Sequence, residues 1–144
     1  SKGSHVSFSD DDATSWSAPV ELPASLCGDR HVGAHGPDGR LVLSFRDMAK
    51  DSPTRGDWVA WVGRFEDLEK GHPGQLRVRL SRNWRGTDCG YPGVEVLADG
   101  TFVLTSYGHW EPGQAPFVRC VRLRLDELDE RAKSPSPPPD RPPG

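Results

Sequence analysis

This 144-residue chain has 14 arginines and two tyrosines, side chains suited to holding and meeting a charged small molecule. A guanidinium presents a planar fork of donors that matches a carboxylate with two parallel charge-assisted bonds. A phenol adds a hydroxyl that both donates and accepts. Spacing links them: Arg30 and Tyr91 stand 61 residues apart, and so do Arg46 and Tyr107. Other reactive types form no such pattern. The three cysteines, Cys27, Cys89 and Cys120, are odd in number and lack metal-type spacing, so they fit neither a disulfide framework nor a zinc site. His31, His35, His72 and His109 are scattered. There is no Gly-rich phosphate loop and no Ser/His/Asp arrangement. Neither a metal nor a cofactor is expected.

The elements that must position these residues are short and strand-like. Alternating apolar runs predict strands at Val6–Phe8, Val32–His35, Leu41–Arg46, Trp58–Arg64, Leu76–Leu80, Val94–Leu97, Phe102–Tyr107 and Phe117–Leu125. Turn signals such as Pro37-Asp38-Gly39 and Asp99-Gly100 separate them. Asp126 to Lys133 reads as a short amphipathic helical turn. On a strand, Trp58 and Trp61 fall on opposite faces, one for the core and one for a seam between sheets or a sugar-stacking surface. Arg77, Arg79, Arg82 and Arg85 read as a solvated face. Tyr107-Gly108-His109-Trp110 reads either as a glycan contact or as packing against the terminal segment.

The 61-residue offset is an internal repeat. Pro37-Asp38-Gly39-Arg40-Leu41-Val42-Leu43-Ser44 matches Ala98-Asp99-Gly100-Thr101-Phe102-Val103-Leu104-Thr105. Repeats of ~40–50 residues with about four strands mark propeller blades, and the loop from Asp47 to Asp57 accounts for the excess length. The fold class is therefore all-β, as about two β-propeller blades, with an ordinary β-sandwich as the alternative. On this reading Arg30 and Tyr91 begin the innermost strands of adjacent blades and face a shared central pit. Since ~4–8 blades are needed to close a propeller, residues 1–133 are expected to be the C-terminal part of a longer propeller domain. Its missing N-terminal blades are the first expected partner. Residues 134–144, with six Pro among eleven, read as a solvated Pro-rich tail.

Composition narrows the function classes. The chain is 34% apolar, with 16 Gly and 14 Pro, which argues against wholesale disorder and against long helices. A net charge of −3 gives no general pull toward nucleic acid. No stretch approaches the ~18 apolar residues of a membrane span, and no charged-then-apolar leader precedes the first strand.

Ser9-Asp10-Asp11-Asp12-Ala13-Thr14-Ser15-Trp16 resembles the Asp-box of sialidases, Ser-x-Asp-x-Gly-x-Thr-Trp. Ser9, Asp11 and Trp16 match, Ser15 replaces Thr, and Ala13 stands where the family's turn uses Gly. The box is structural. Asp11 would accept from turn N–H groups, Ser9 and Ser15 would add local hydrogen bonds, and Trp16 would pack under the blade.

A second stretch, Cys89-Gly90-Tyr91-Pro92-Gly93-Val94-Glu95-Val96-Leu97-Ala98-Asp99-Gly100-Thr101, looks like the last catalytic blade of sialidases, where a Tyr opens the innermost strand. Pro92 stands where the family has Ser. Residues Asp38 to Asp47 and the loop to Trp58 resemble the preceding blade. The resemblance covers roughly Ser4 to Leu128 and implies a six-bladed exo-sialidase-like glycoside hydrolase with a Tyr nucleophile, Tyr91. Its substrate would be a sialylated or other acidic glycan. Arg55, Arg46 and Arg30 are the candidates for holding the substrate carboxylate. A phenol suits this chemistry because a carboxylate nucleophile would be repelled by the substrate's own charge, and Tyr is the recognised exception among retaining glycosidases. The Glu that activates Tyr and the Asp acid/base would come from earlier blades, so these 144 residues alone would be inactive. The alternative within the same superfamily is a non-catalytic propeller that binds glycans or proteins. The resemblance also favours a secreted or periplasmic setting.

Overall fold

The alternating apolar runs fold into antiparallel β structure, with 40% strand and 14% helix. The computed structural model describes residues 3–133. The Pro-rich segment 134–144 lies outside the described residues. A short hairpin pairs β1 (His5–Val6) with β2 (Val20–Glu21). A four-stranded antiparallel meander follows, of β3 (Gly28–His35), β4 (Leu41–Asp47), β5 (Trp58–Gly63) and β6 (Leu76–Ser81). A three-stranded meander holds β7 (Cys89–Val96), β8 (Phe102–Gly108) and β9 (Phe117–Leu123). Helix α1 (Phe65–Lys70) links β5 to β6, and α2 (Leu125–Lys133) follows β9. Among the described residues the sheets form no closed barrel.

The repeat is reproduced pair by pair. In the first sheet Gly28 pairs with Asp47, Asp29 with Arg46, Val32 with Ser44 and His35 with Leu41. Adding 61 to each gives Cys89 with Gly108, Gly90 with Tyr107, Gly93 with Thr105 and Val96 with Phe102, all of which pair in the second sheet. Both ladders shift register at the same place, between Asp29 and Val32 and between Gly90 and Gly93. Strands β3 and β7 therefore begin before the apolar runs Val32–His35 and Val94–Leu97, because each opens with a polar bulged segment that hydrophobic alternation does not register.

The core has two compartments. Val42, Trp58, Ala60, Val62, Phe102, Leu104, Trp110 and Leu123 fill the space between the two larger sheets. Leu26, Leu41, Phe45, Val59, Trp61 and Leu68 lie on the other face of the first sheet, against Phe8 and Leu22 of the N-terminal segment. Strand β5 is thus covered on both faces and buried at every position, which explains its nearly continuous apolar run. Trp58 and Trp61 do point to opposite faces, but both are buried, so neither offers a sugar-stacking surface. Trp58 packs on Trp110 with ring centroids 5.6 Å apart and donates from Nε1 to Ser44 Oγ at 2.8 Å. Trp61 Nε1 donates to the Pro73 carbonyl at 2.8 Å. Trp110 is buried as well, so the segment Tyr107 to Trp110 serves packing at its last residue.

Three features depart from the sequence reading. Helix α1 occupies a segment with too few residues to show helical periodicity; Glu66 and Asp67 in its first turn and left-handed Gly71 at its end complement its termini. Strand β2 is a two-residue pairing that no apolar run marks. Of the four arginines read as a solvated face, Arg79, Arg82 and Arg85 are exposed, whereas Arg77 is half-buried and reaches Ser52 and Thr54 at 2.9 and 3.1 Å. Among the described residues no helix is long and apolar enough to cross a membrane.

Candidate functional site

Arg30 and Tyr91 occupy the equivalent bulged position of β3 and β7. Each has a left-handed backbone, with φ of 60° at Arg30 and 54° at Tyr91. Such angles cost a bulky residue of order 1–3 kcal/mol and concentrate at functional positions. The bulges bring the two side chains face to face. The Arg30 guanidinium carbon lies 4.1 Å from the centroid of the Tyr91 ring, within cation–π range. Tyr91 is 73% exposed. Gly90 makes the approach possible: its φ is 140°, and a Cβ there would collide with Arg30 Cδ.

The three candidate arginines have different surroundings. Arg46, at the end of β4, holds Asp29 through Nε and Nη2 at 2.8 and 2.5 Å. Its Nη1 donates to the carbonyls of Thr87 and Cys89. Hydrogen bonding to Asp29 raises the Arg46 pKa above its ordinary value. Arg55 is exposed in the loop between β4 and β5 and donates from Nη1 to the Met48 carbonyl. Arg30 is exposed, and among the described residues its guanidinium has no hydrogen-bond acceptor. It pairs with neither Asp29, which Arg46 holds, nor Asp88, which belongs to His109. The sheet ends thus bring Arg30, Tyr91 and Arg46 together. Arg55 lies on a neighbouring loop and, among the described residues, forms no hydrogen bond with the other three.

Two polar groups that the sequence did not single out stabilise this end of the sheets. Asp47 is fully buried and accepts from Ala49 N–H at 2.9 Å, from Thr54 Oγ1 at 2.6 Å and from Ser52 Oγ. Arg77 lies 3.3 Å from the same carboxylate. These contacts fold the loop from Met48 to Gly56 against residues Gly86 and Thr87; a Cβ at Gly56, whose φ is 88°, would strike the Gly86 carbonyl. Asp88 accepts from His109 Nε2 at 2.7 Å, and this bond, the main cause, lowers its pKa. Tyr107 Oη lies 3.4 Å from the same carboxylate. Neither Asp lies in a motif. The available signal was the turn-type composition around each, which locates a loop without naming its contacts.

The Asp-box-like hairpin folds as its residue types require. Asp11 Oδ1 accepts from Ser9 Oγ and Ser15 N–H, each at 2.9 Å, and Oδ2 accepts from Ser15 Oγ at 2.6 Å. The Ser15 hydroxyl is the main cause of the lowered Asp11 pKa. Ala13 N–H donates to Ser9 Oγ at 2.9 Å, with φ of 63° at Ala13. Trp16 departs from expectation: it is 61% exposed instead of packed. The hairpin ladder has only two paired positions and provides no sheet face to cover the ring.

Chemically, the Arg30–Tyr91 pair offers a guanidinium with no hydrogen-bond acceptor among the described residues, stacked on an accessible phenol ring. The guanidinium fork can take a carboxylate with two parallel charge-assisted bonds. Comparison of the chain with protein-family models, with curated proteins and with solved structures finds no match.

Proposed function

We propose that these residues form the last blades of a sialidase-like propeller, and that the intact protein cleaves a terminal sialic acid or related acidic sugar with retention. The observation that carries this reading is the Arg30–Tyr91 pair, set at matched bulges of the first strands of the two meanders, with no hydrogen-bond acceptor for its guanidinium among the described residues. The two meanders with identical pairing register support the blade assignment. In this mechanism Arg30 holds the substrate carboxylate, with Arg55 as a second cation on the neighbouring loop. Tyr91 Oη loses its proton to a base and bonds to the anomeric carbon while the bond to the aglycone oxygen breaks. That oxygen takes a proton from an acid. Water then displaces Tyr91 and restores the phenol. The base and the acid come from residues outside those described.

The experiment is turnover of a fluorogenic sialoside by the intact protein and its Tyr91→Phe and Arg30→Lys variants. Tyr91→Phe is expected to lower kcat by about 10³-fold or more, as loss of a nucleophile does. Arg30→Lys is expected to act mainly on KM, because a lysine has no fork. Unchanged turnover in Tyr91→Phe would remove the nucleophile assignment. Glycan binding without turnover in the wild type would leave the pair a recognition surface for acidic glycans.

A further inference from the structure

The Arg30 and Tyr91 bulges hold backbone that persists only where its surroundings over-determine it. One side chain touches the shoulders of both. Arg46 pairs across the ladder with Asp29, the residue before Arg30, and grips the Asp29 carboxylate at 2.8 and 2.5 Å. Its other nitrogen donates to Thr87 and, at 3.2 Å, to Cys89, which precedes Gly90 and Tyr91. Four of the five N–H groups of a guanidinium are thereby occupied. The Arg46 side chain is only 13% exposed. Its counterpart 61 residues on is Tyr107, which has no fork, so the clamp runs from the first sheet to the second.

We propose that Arg46 is a positioning residue that sets the separation and tilt of Arg30 and Tyr91, and is not a ligand of the substrate carboxylate. The proposal rests on reading that pair as the site. One N–H of Arg46 is left, so a carboxylate could take its fork with two parallel bonds only by displacing Asp29 or the two backbone carbonyls. Arg46→Lys keeps a charge beside Asp29 but loses the span to β7, since one ammonium cannot serve both shoulders in the planar geometry of the fork.

The test uses the intact protein with tyrosine labelled at the ring carbon that bears the hydroxyl. Loss in Tyr91→Phe identifies the Tyr91 signal in nuclear magnetic resonance. Arg46→Lys is expected to move that signal in the same direction as Arg30→Met, with the melting temperature close to wild type. On the sialoside, kcat is expected to fall about tenfold or more while KM changes less than about threefold, the pattern of lost alignment. Asp29→Asn is expected to move the signal likewise, and it supplies the comparison if Arg46→Lys does not fold. An unmoved Tyr91 signal overturns the proposal. So does a KM increase of about tenfold with kcat unchanged, which is the pattern of a lost carboxylate ligand. If the wild type turns over no sialoside, the sialidase reading fails on its own, and the Tyr91 signal alone then decides the clamp.

Discussion

At the scale of single residues, left-handed backbone separates strain that serves the candidate site from strain that serves a turn. Arg30 and Tyr91 accept it in order to face each other. Ala13 accepts it only to close the hairpin around Asp11. A Cβ in this region costs roughly 1–2 kcal/mol, and the greater entropy of unfolded Gly returns about half of that. Ala13→Gly is therefore expected to stabilise the hairpin by about 0.5 kcal/mol, read as slower hydrogen exchange at the amides of residues 13 and 15. Faster exchange would mean that the methyl group contributes a contact. This strain was partly legible beforehand, because Ala13 stands where a Gly is the usual occupant. The strain at Arg30 was not, since nothing in Asp29-Arg30-His31 marks a bulge.

At the scale of elements, the strands were legible where one face or both are apolar, and invisible where pairing alone defines them. β4, β5, β8 and β9 follow the apolar runs to within one or two residues. β5 also carries a polar dependence that its apolar residues conceal. Ser44, fully buried on β4, accepts the only hydrogen bond of the buried Trp58 indole among the described residues. Ser44→Ala removes that acceptor and leaves a buried N–H unpaired, a cost of about 1–3 kcal/mol. The midpoint of urea denaturation is expected to fall accordingly, with an unchanged slope. A shift within experimental error would show that the indole finds another acceptor.

At the scale of the whole molecule, the two larger sheets are unequal. Among the described residues the first is covered on both faces, whereas the second is covered on one. The cysteines report this difference. Cys89 lies in the core between the sheets, and burial pushes its thiol up to about 11. Cys120 is exposed on β9, on the uncovered side. Reactivity follows the thiolate and its access, so Cys89 is expected to resist iodoacetamide at pH 8 until the protein unfolds. If a further blade packs on the second sheet in the intact protein, Cys120 is expected to resist as well, with mass spectrometry locating the label. Full labelling of Cys120 there would tell against a blade on that face.

The chain alone determined the antiparallel strands, the Asp-Gly turns and the 61-residue repeat, because hydrophobic period and turn chemistry are local properties. The repeat even carried the equivalence of Arg30 and Tyr91, since residues at the same place in two copies inherit the same backbone environment. Only the tertiary structure decided which of the three arginines has no hydrogen-bond acceptor among the described residues. Arg30, Arg46 and Arg55 are chemically identical, and their difference lies in acceptors far away in sequence: Asp29 is 17 residues from Arg46, and Thr87 is 41. The exposure of Trp16 and the burial of both Trp58 and Trp61 were decided in the same way, by which sheet face lies opposite each ring. Side-chain type sets what a residue can bind, and the packing of distant strands sets whether that capacity is already in use.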